Sequence, residues 1–235
     1  MNGEANRKTS IRLKVVTTTM TKENWDLFLA PYQIAVDELK VKLKAIRKQF
    51  QQRGEHSPIE FVTGRVKPVK SILQKAERKN IEIGALEEEM QDIAGLRIMC
   101  QFVDDIIHVL ELLRSRSDFR IVEERNYITQ KKDSGYRSYH VIIAYPVQTI
   151  EGEIPTLVEI QIRTLAMNFW ATIEHSLNYK YQGNIPEETR ERLRRAAEAA
   201  FLLDAEMSQL KVEIQDAQLA FHERDADLRQ KQDEE

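Results

Sequence analysis

Six cations and a single anion fall between Arg65 and Lys79, in the run Arg65-Val66-Lys67-Pro68-Val69-Lys70-Ser71-Ile72-Leu73-Gln74-Lys75-Ala76-Glu77-Arg78-Lys79. At about 3.6 residues per turn, the spacing predicts a helix over Lys67 to Lys79. Lys67, Lys70, Ser71, Gln74, Lys75 and Arg78 fall on one side, and Val69, Ile72, Leu73 and Ala76 on the other. Cations so close repel one another unless a polyanion neutralises them. A triphosphate brings about four negative charges, which Arg meets with bidentate donors and Lys with a point charge. The bland alternative is a solvated basic face.

Carboxylates supply the complementary chemistry. Leu157-Val158-Glu159-Ile160-Gln161-Ile162-Arg163 alternates strictly, so Glu159, Gln161 and Arg163 share one side of a strand and Val158, Ile160 and Ile162 the other. Asp92 stands at the entry to another strand, in Gln91-Asp92-Ile93-Ala94-Gly95-Leu96-Arg97. Transfer of a phosphoryl or pyrophosphoryl group to a hydroxyl needs a hard divalent cation, Mg²⁺, and a group to orient or deprotonate the nucleophile; Asp and Glu do both. In Ser134-Gly135-Tyr136-Arg137-Ser138-Tyr139-His140, strand spacing puts Tyr136, Ser138 and His140 on one face. There a ring could stack on a base and an imidazole could bond ribose or phosphate, with Arg125, Lys131 and Lys132 nearby.

Other chemistries are excluded by what is missing. The eight glycines, at 3, 54, 64, 84, 95, 135, 152 and 183, are too scattered for a Walker loop or a dinucleotide fingerprint. Paired Cys/His ligand spacings are absent, and none of the five histidines precedes an Asp, so a His-Asp phosphohydrolase centre is not expected. The lone Cys100, inside the apolar run Leu96 to Phe102, reads as a buried strand residue. With a net charge of -3, any anion site must come from local clustering. No apolar stretch reaches the roughly 18 residues of a membrane span, and there is no secretory leader, so a cytoplasmic protein is expected.

The elements that must position these residues follow from periodicity. Residues 1–20 read as a disordered leader, with Met20 an alternative start. An N-terminal helix over 21–54 carries the stripe Trp25, Leu29, Tyr32, Val36, Leu39, Leu43, Ile46 and Phe50, with Pro31 near its first turn. Strands are expected over Gly95–Val103, Phe119–Tyr127, Tyr136–Val147 and Thr156–Thr164, with a helix over Asp104–Arg116 and a hairpin loop over Gln148–Pro155. Helices from Leu165 to about Tyr181 and from Glu187 to about Asp225 follow. The last repeats Leu193, Ala196, Ala200, Leu203, Met207, Leu210, Ile214, Ala217 and Phe221, a coiled-coil-like seam suited to self-association. A charged tail, 226–235, ends the chain. The whole is an α+β fold, a mixed sheet with flanking helices and long amphipathic helices at either end.

Taken in order, Gly64-Arg65-Val66-Lys67, Gln91 to Arg97, Ser134 to His140, Val158 to Thr164 and Met167 to His175 resemble the synthetase domain of the RelA/SpoT superfamily, over roughly Pro58 to Tyr181. The flanking helices are similar to those of its single-domain small alarmone synthetases. The resemblance implies a nucleotidyltransferase-like synthetase domain at 55–182, an oligomerisation helix at 183–225, and the reaction ATP plus GTP or GDP giving AMP plus pppGpp or ppGpp. It implies a synthetase only, since neither a hydrolase domain nor the regulatory domains of long members has room in 235 residues. It further implies that Arg65 and Arg97 sandwich adenine, that Lys67, Lys75 and Arg78 hold the ATP phosphates, and that Asp92 binds Mg²⁺. Glu159 shares the metal or acts as base, Tyr136 stacks on guanine, and Arg125, Lys132, His140 and Gln161 complete the acceptor pocket. A homotetramer is implied, with Lys44, Phe61, Thr63, Gly64 and Asn168 forming a cleft for allosteric pppGpp. Two rivals are a different metal-dependent nucleotidyltransferase and a module binding single-stranded RNA, whose backbone the basic helix would follow while Tyr136 stacks on bases. A scaffold held by the long helices would leave the polar strand faces unexplained.

Overall fold

Trp25, Tyr32, Val36, Leu39 and Leu43 are all buried, because they form the inner stripe of helix α1, Lys22–Arg53, which packs on β1, β2, β4 and β5. The computed structural model describes residues 22–130, 132–180 and 186–233; the expected leader, Met20 and Lys131 lie outside them. After α1 come β1 (Phe61–Val66), α2 (Val69–Lys79), a 3₁₀ turn (Ile83–Ala85), α3 (Leu86–Glu89), β2 (Ala94–Cys100) and α4 (Val103–Arg114). Then follow β3 (Arg120–Asn126), β4 (Tyr139–Thr149), β5 (Gly152–Thr164), α5 (Leu165–Lys180) and α6 (Glu187–Asp233). The strands form one mixed sheet in the order β1-β2-β5-β4-β3, with β2 and β5 parallel and the other neighbours antiparallel. Val62, Leu96, Ile98, Val141, Ile143, Val158, Ile160 and Ile162 fill the core side, and Cys100 is fully buried there. Burial raises its thiol pKa far above the ordinary value, so it stays protonated and inert.

Five strands appear where periodicity suggested four. The addition, β1, reads Phe-Val-Thr-Gly-Arg-Val, with Val62 its one fully buried residue. An edge strand with so few apolar positions shows no usable alternation. Gly64 lets it lie under α1: a Cβ there would come within 2.8 Å of Leu96 and Val36 side-chain atoms. Helix α2 begins at Val69 rather than Lys67, because a residue before proline is steered out of the α region and Pro68 holds φ -58, ψ 142. Of its expected apolar side, Ile72 and Ala76 are buried whereas Leu73 is 40% exposed.

Strand β4 starts at Tyr139 instead of Tyr136, since Gly135 adopts φ +87 and the segment after it leaves the ladder. The loop expected over Gln148–Pro155 shrinks to the two residues Ile150 and Glu151, with Thr149 paired to Gly152. Pro146 lies opposite Pro155. Neither proline costs a ladder bond, because β3 pairs no further than Ala144 and β2 begins pairing at Val158. On α6 the expected apolar seam faces outward, with Leu203, Met207, Leu210, Ile214 and Phe221 all exposed, while Ala197 and Asp204 turn inward.

Candidate active site

Register across the sheet decides where the polar side chains meet. Thr63 pairs with Arg97, Arg97 with Gln161, Gln161 with His140 and His140 with Arg125, one row crossing all five strands. The adjacent row on the same face runs Arg65, Gly95, Glu159, Ile142, Glu123. Opposite partners project to one side of a pleated sheet, so residues far apart in sequence form one floor. A cleft of about 230 Å³ opens over its β1–β2–β5 end, lined by Arg65, Lys67, Asp92, Arg97, Glu159 and Gln161 among others.

Asp92, just before β2, accepts bonds at Oδ2 from Lys67 Nζ and from Lys75 Nζ, the latter at 2.6 Å, while its buried Oδ1 has no partner. Burial pushes its pKa up, but the two lysines outweigh that and hold it below the ordinary carboxylate value. Burial in turn lowers the pKa of Lys67, and Asp92 only partly offsets this. Glu159 is bonded by His140 Nδ1 at 3.1 Å and by Gln161 Nε2 at 2.7 Å. Burial raises its pKa, yet His140 and Gln161 leave it below the ordinary value. Arg97 Nε donates to Gln161 Oε1 at 3.3 Å. Burial, with the charges of Arg163 and Arg65, weakens Arg97 as a base.

Tyr136 lies off the strand yet reaches the floor. Arg163 Nη2 donates to its hydroxyl at 2.6 Å, and that hydroxyl is 2.8 Å from His140 Nε2. Taken in one direction, Arg163 donates to Tyr136, Tyr136 to His140 and His140 Nδ1–H to Glu159, which satisfies every group and fixes the imidazole tautomer. The Lys132 ammonium lies 5.0 Å and the Arg163 guanidinium 5.1 Å from the Tyr136 ring centroid.

Several expected site residues stand differently. Arg78 is exposed and lines no part of the cleft, whereas Lys75, three residues earlier on α2, reaches it by pairing with Asp92. Arg125 is bonded to Glu123 and Gln91. Lys44 and Phe61 line a separate cleft of about 350 Å³ with Arg47 and Lys48, whereas Thr63 and Gly64 line the main one. Asn168 lies on α5 and lines neither. Arg163, Gln91 and Glu123 were not singled out as site residues. Strict alternation signalled Arg163, and strand spacing puts Glu123 on the face of Arg125, but nothing local signals Gln91. Among the described residues no three His, Cys, Asp or Glu side chains gather as a metal cage.

A family model described as "Region found in RelA / SpoT proteins" matches residues 64–184. The chain belongs to the RelA/SpoT family. Both floor rows and the Asp92 pair fall within the matched region, except Thr63, and α6 lies beyond it. The chain is 64% identical over 202 residues to the GTP pyrophosphokinase YjbM of Bacillus subtilis (strain 168), covering 86% of this chain and 95% of that protein. Its fold matches the crystal structure of the small alarmone synthetase 1 from Bacillus subtilis bound to its product pppGpp, with a TM-score of 0.80 and 64% identity over 83% of this chain and 100% of that one. The same synthetase bound to AMPCPP matches with a TM-score of 0.74 and 60% identity, over 83% of this chain and 100% of that one. No helix among the described residues is long and apolar enough to cross a membrane.

Proposed function

We infer that this RelA/SpoT family member is a GTP pyrophosphokinase, moving the β,γ-pyrophosphate of ATP to the 3′-hydroxyl of GTP or GDP to give pppGpp or ppGpp and AMP. The observation that carries the residue roles is the five-strand floor, which puts Glu159 beside a cleft bearing Asp92 and the cations that flank it. Arg65 and Arg97, at the cleft wall, take the adenine between them, and Lys67 and Lys75 take the phosphates. Lys75 and Lys67 now neutralise Asp92; an arriving triphosphate exchanges that partner for a larger anion. The buried Oδ1 of Asp92, without a hydrogen-bond partner, fits a hard cation. A Mg²⁺ ion held by Asp92 and Glu159 with donor phosphate oxygens would neutralise the charge developing there.

Lys132, Tyr136, His140, Gln161 and Arg125 receive the guanine nucleotide in this reading, with the acceptor's phosphates competing for Arg125 against Glu123. Glu159, kept ionised by His140 and Gln161, accepts the 3′-hydroxyl proton. The acceptor oxygen then forms its bond to the β-phosphorus of ATP. The bond from that phosphorus to the α,β-bridging oxygen breaks, and AMP leaves with the electron pair. Thin-layer chromatography with γ-labelled ATP tests this. Label is expected in a guanine nucleotide, and label only in free pyrophosphate would mean nucleotidyl transfer instead.

A homotetramer built through the outward apolar seam of α6, and binding of pppGpp near Lys44 and Phe61, extend the same reading. Analytical ultracentrifugation with and without pppGpp checks both. Single-stranded RNA is the rival partner for the basic face, tested by gel shift.

A further inference from the structure

Residues 135 to 138, which carry the proposed guanine-stacking ring, are gripped from two sides in alternation. Tyr136 turns to the sheet floor through Arg163 and His140. Ser138, fully buried, donates to Ile162 O at 3.3 Å and accepts from Arg163 Nε at 3.2 Å. Gly135 and Arg137 turn the other way, against α6. A Cβ on Gly135 would sit 2.5 Å from Ala197 Cβ, so backbone meets helix with no room for a side chain.

Arg137 is 6% exposed. Its Nη1 donates to Ala197 O at 3.3 Å, its Nη2 pairs with Glu198 at 3.0 Å, and its guanidinium lies 4.1 Å from the Phe201 ring centroid. Its Nε has no hydrogen-bond partner. A buried guanidinium with one bare nitrogen and a half-exposed carboxylate for company is a poor stabilising device; an apolar side chain of similar length would pack there at little cost. Something besides stability explains the arrangement. The same helix also reaches the floor strand directly, since Thr164 Oγ1, at the end of β5, donates to Asp204 Oδ2 at 2.6 Å.

We propose that Arg137 is a positioning residue for the acceptor nucleotide, through which α6 holds the 132–138 segment so that Tyr136 and Lys132 meet the guanine base. The proposal rests on the acceptor-site reading given above. It assigns α6 a part in recognition, although that helix lines no part of the donor cleft.

The test is steady-state kinetics on the full-length protein, varying ATP and GTP separately, for Arg137→Met, Arg137→Lys, Glu198→Gln and Tyr136→Ala, each with a melting curve. Arg137→Met is expected to fold and to raise KM for GTP about tenfold to a hundredfold, the scale of a small misplacement of a binding group. KM for ATP should stay within about twofold, well inside one decade of binding energy. Arg137→Lys, which keeps the charge but loses the planar fork, is expected to fall between wild type and Met. A folded Arg137→Met with wild-type KM for GTP, or one that raises both KM values alike, overturns the proposal. Should that variant fail to fold, Glu198→Gln decides, because Glu198 is half exposed: a severalfold rise in KM for GTP alone supports the clamp, and no rise overturns it. Tyr136→Ala separates the two readings. If it leaves KM for GTP unchanged, the acceptor site itself is misplaced; if it raises KM and Arg137→Met does not, only the clamp fails.

Discussion

The proposed donor and acceptor sites are built by different means. On the donor side, Arg65, Lys67, Lys75, Asp92 and Arg97 come from two paired strands, the helix between them and the short segments that join them, within 33 residues of chain. Each charge there already has its counter-charge or its place in the ladder. On the acceptor side, Tyr136 and Lys132 hang on a non-strand segment fixed by partners about sixty residues away, in α6. The lesson is that a triphosphate can be met by local structure, because its charge tolerates several cation placements. A base needs one ring in one plane, and that takes tertiary restraint.

The comparison can be broken at several points. The largest effect is expected where both sites meet: Glu159→Gln should lower kcat by about 10²–10⁴-fold, the usual weight of a general base, with both KM values near wild type. A variant that keeps full turnover would move the chemistry elsewhere. Lys75→Ala should raise KM for ATP by about tenfold or more, the loss of a charge-assisted bond, and leave GTP nearly unaffected. Equal rises in both would mean that the sites are not separate.

Ile72→Val, in the fully buried anchor of α2, should cost about 1 kcal/mol in denaturant unfolding without moving either KM. A raised KM for ATP would show that the basic helix is less rigidly seated than its packing implies. The smallest effect is one of pH. Asp92 and Glu159 both lie below their ordinary values of 3.8 and 4.5. A carboxylate depressed in the folded state stabilises fully above its unfolded pKa, and that stabilisation is lost as pH falls through the lower folded one. Stability and turnover governed by these groups should therefore stay flat down to about pH 5 and decline only below the unfolded values. An acid limb in kcat well above those values would instead move the proton-accepting role away from Glu159.

Local pattern made much of this legible. The seven-residue alternation around Glu159 put Glu159, Gln161 and Arg163 on one face, and the structure keeps them there. The α1 stripe likewise named the residues that pack on the sheet. What escaped depends on partners distant in sequence. β1 has too few apolar residues to announce itself, and its place was decided by Gly64 fitting under α1. Lys67 was placed on one helical face with Lys75, but Pro68 delays the helix, and Lys67 reaches Asp92 from the segment between β1 and α2. The floor rows exist only once five strands are in register, and Gln91 meets Arg125 from 34 residues away.

The order of parts along the chain carries a consequence for synthesis. Glu198 lies 61 residues after the arginine it pairs with, so a growing polypeptide carries the segment around Tyr136 before its brace has been made. At about 5–20 residues per second the interval is about 3–12 s. Strand β5, which brings Glu159 and Gln161 to the cleft, is itself translated within that window, so the floor is complete in sequence before the helix that braces the segment beside it.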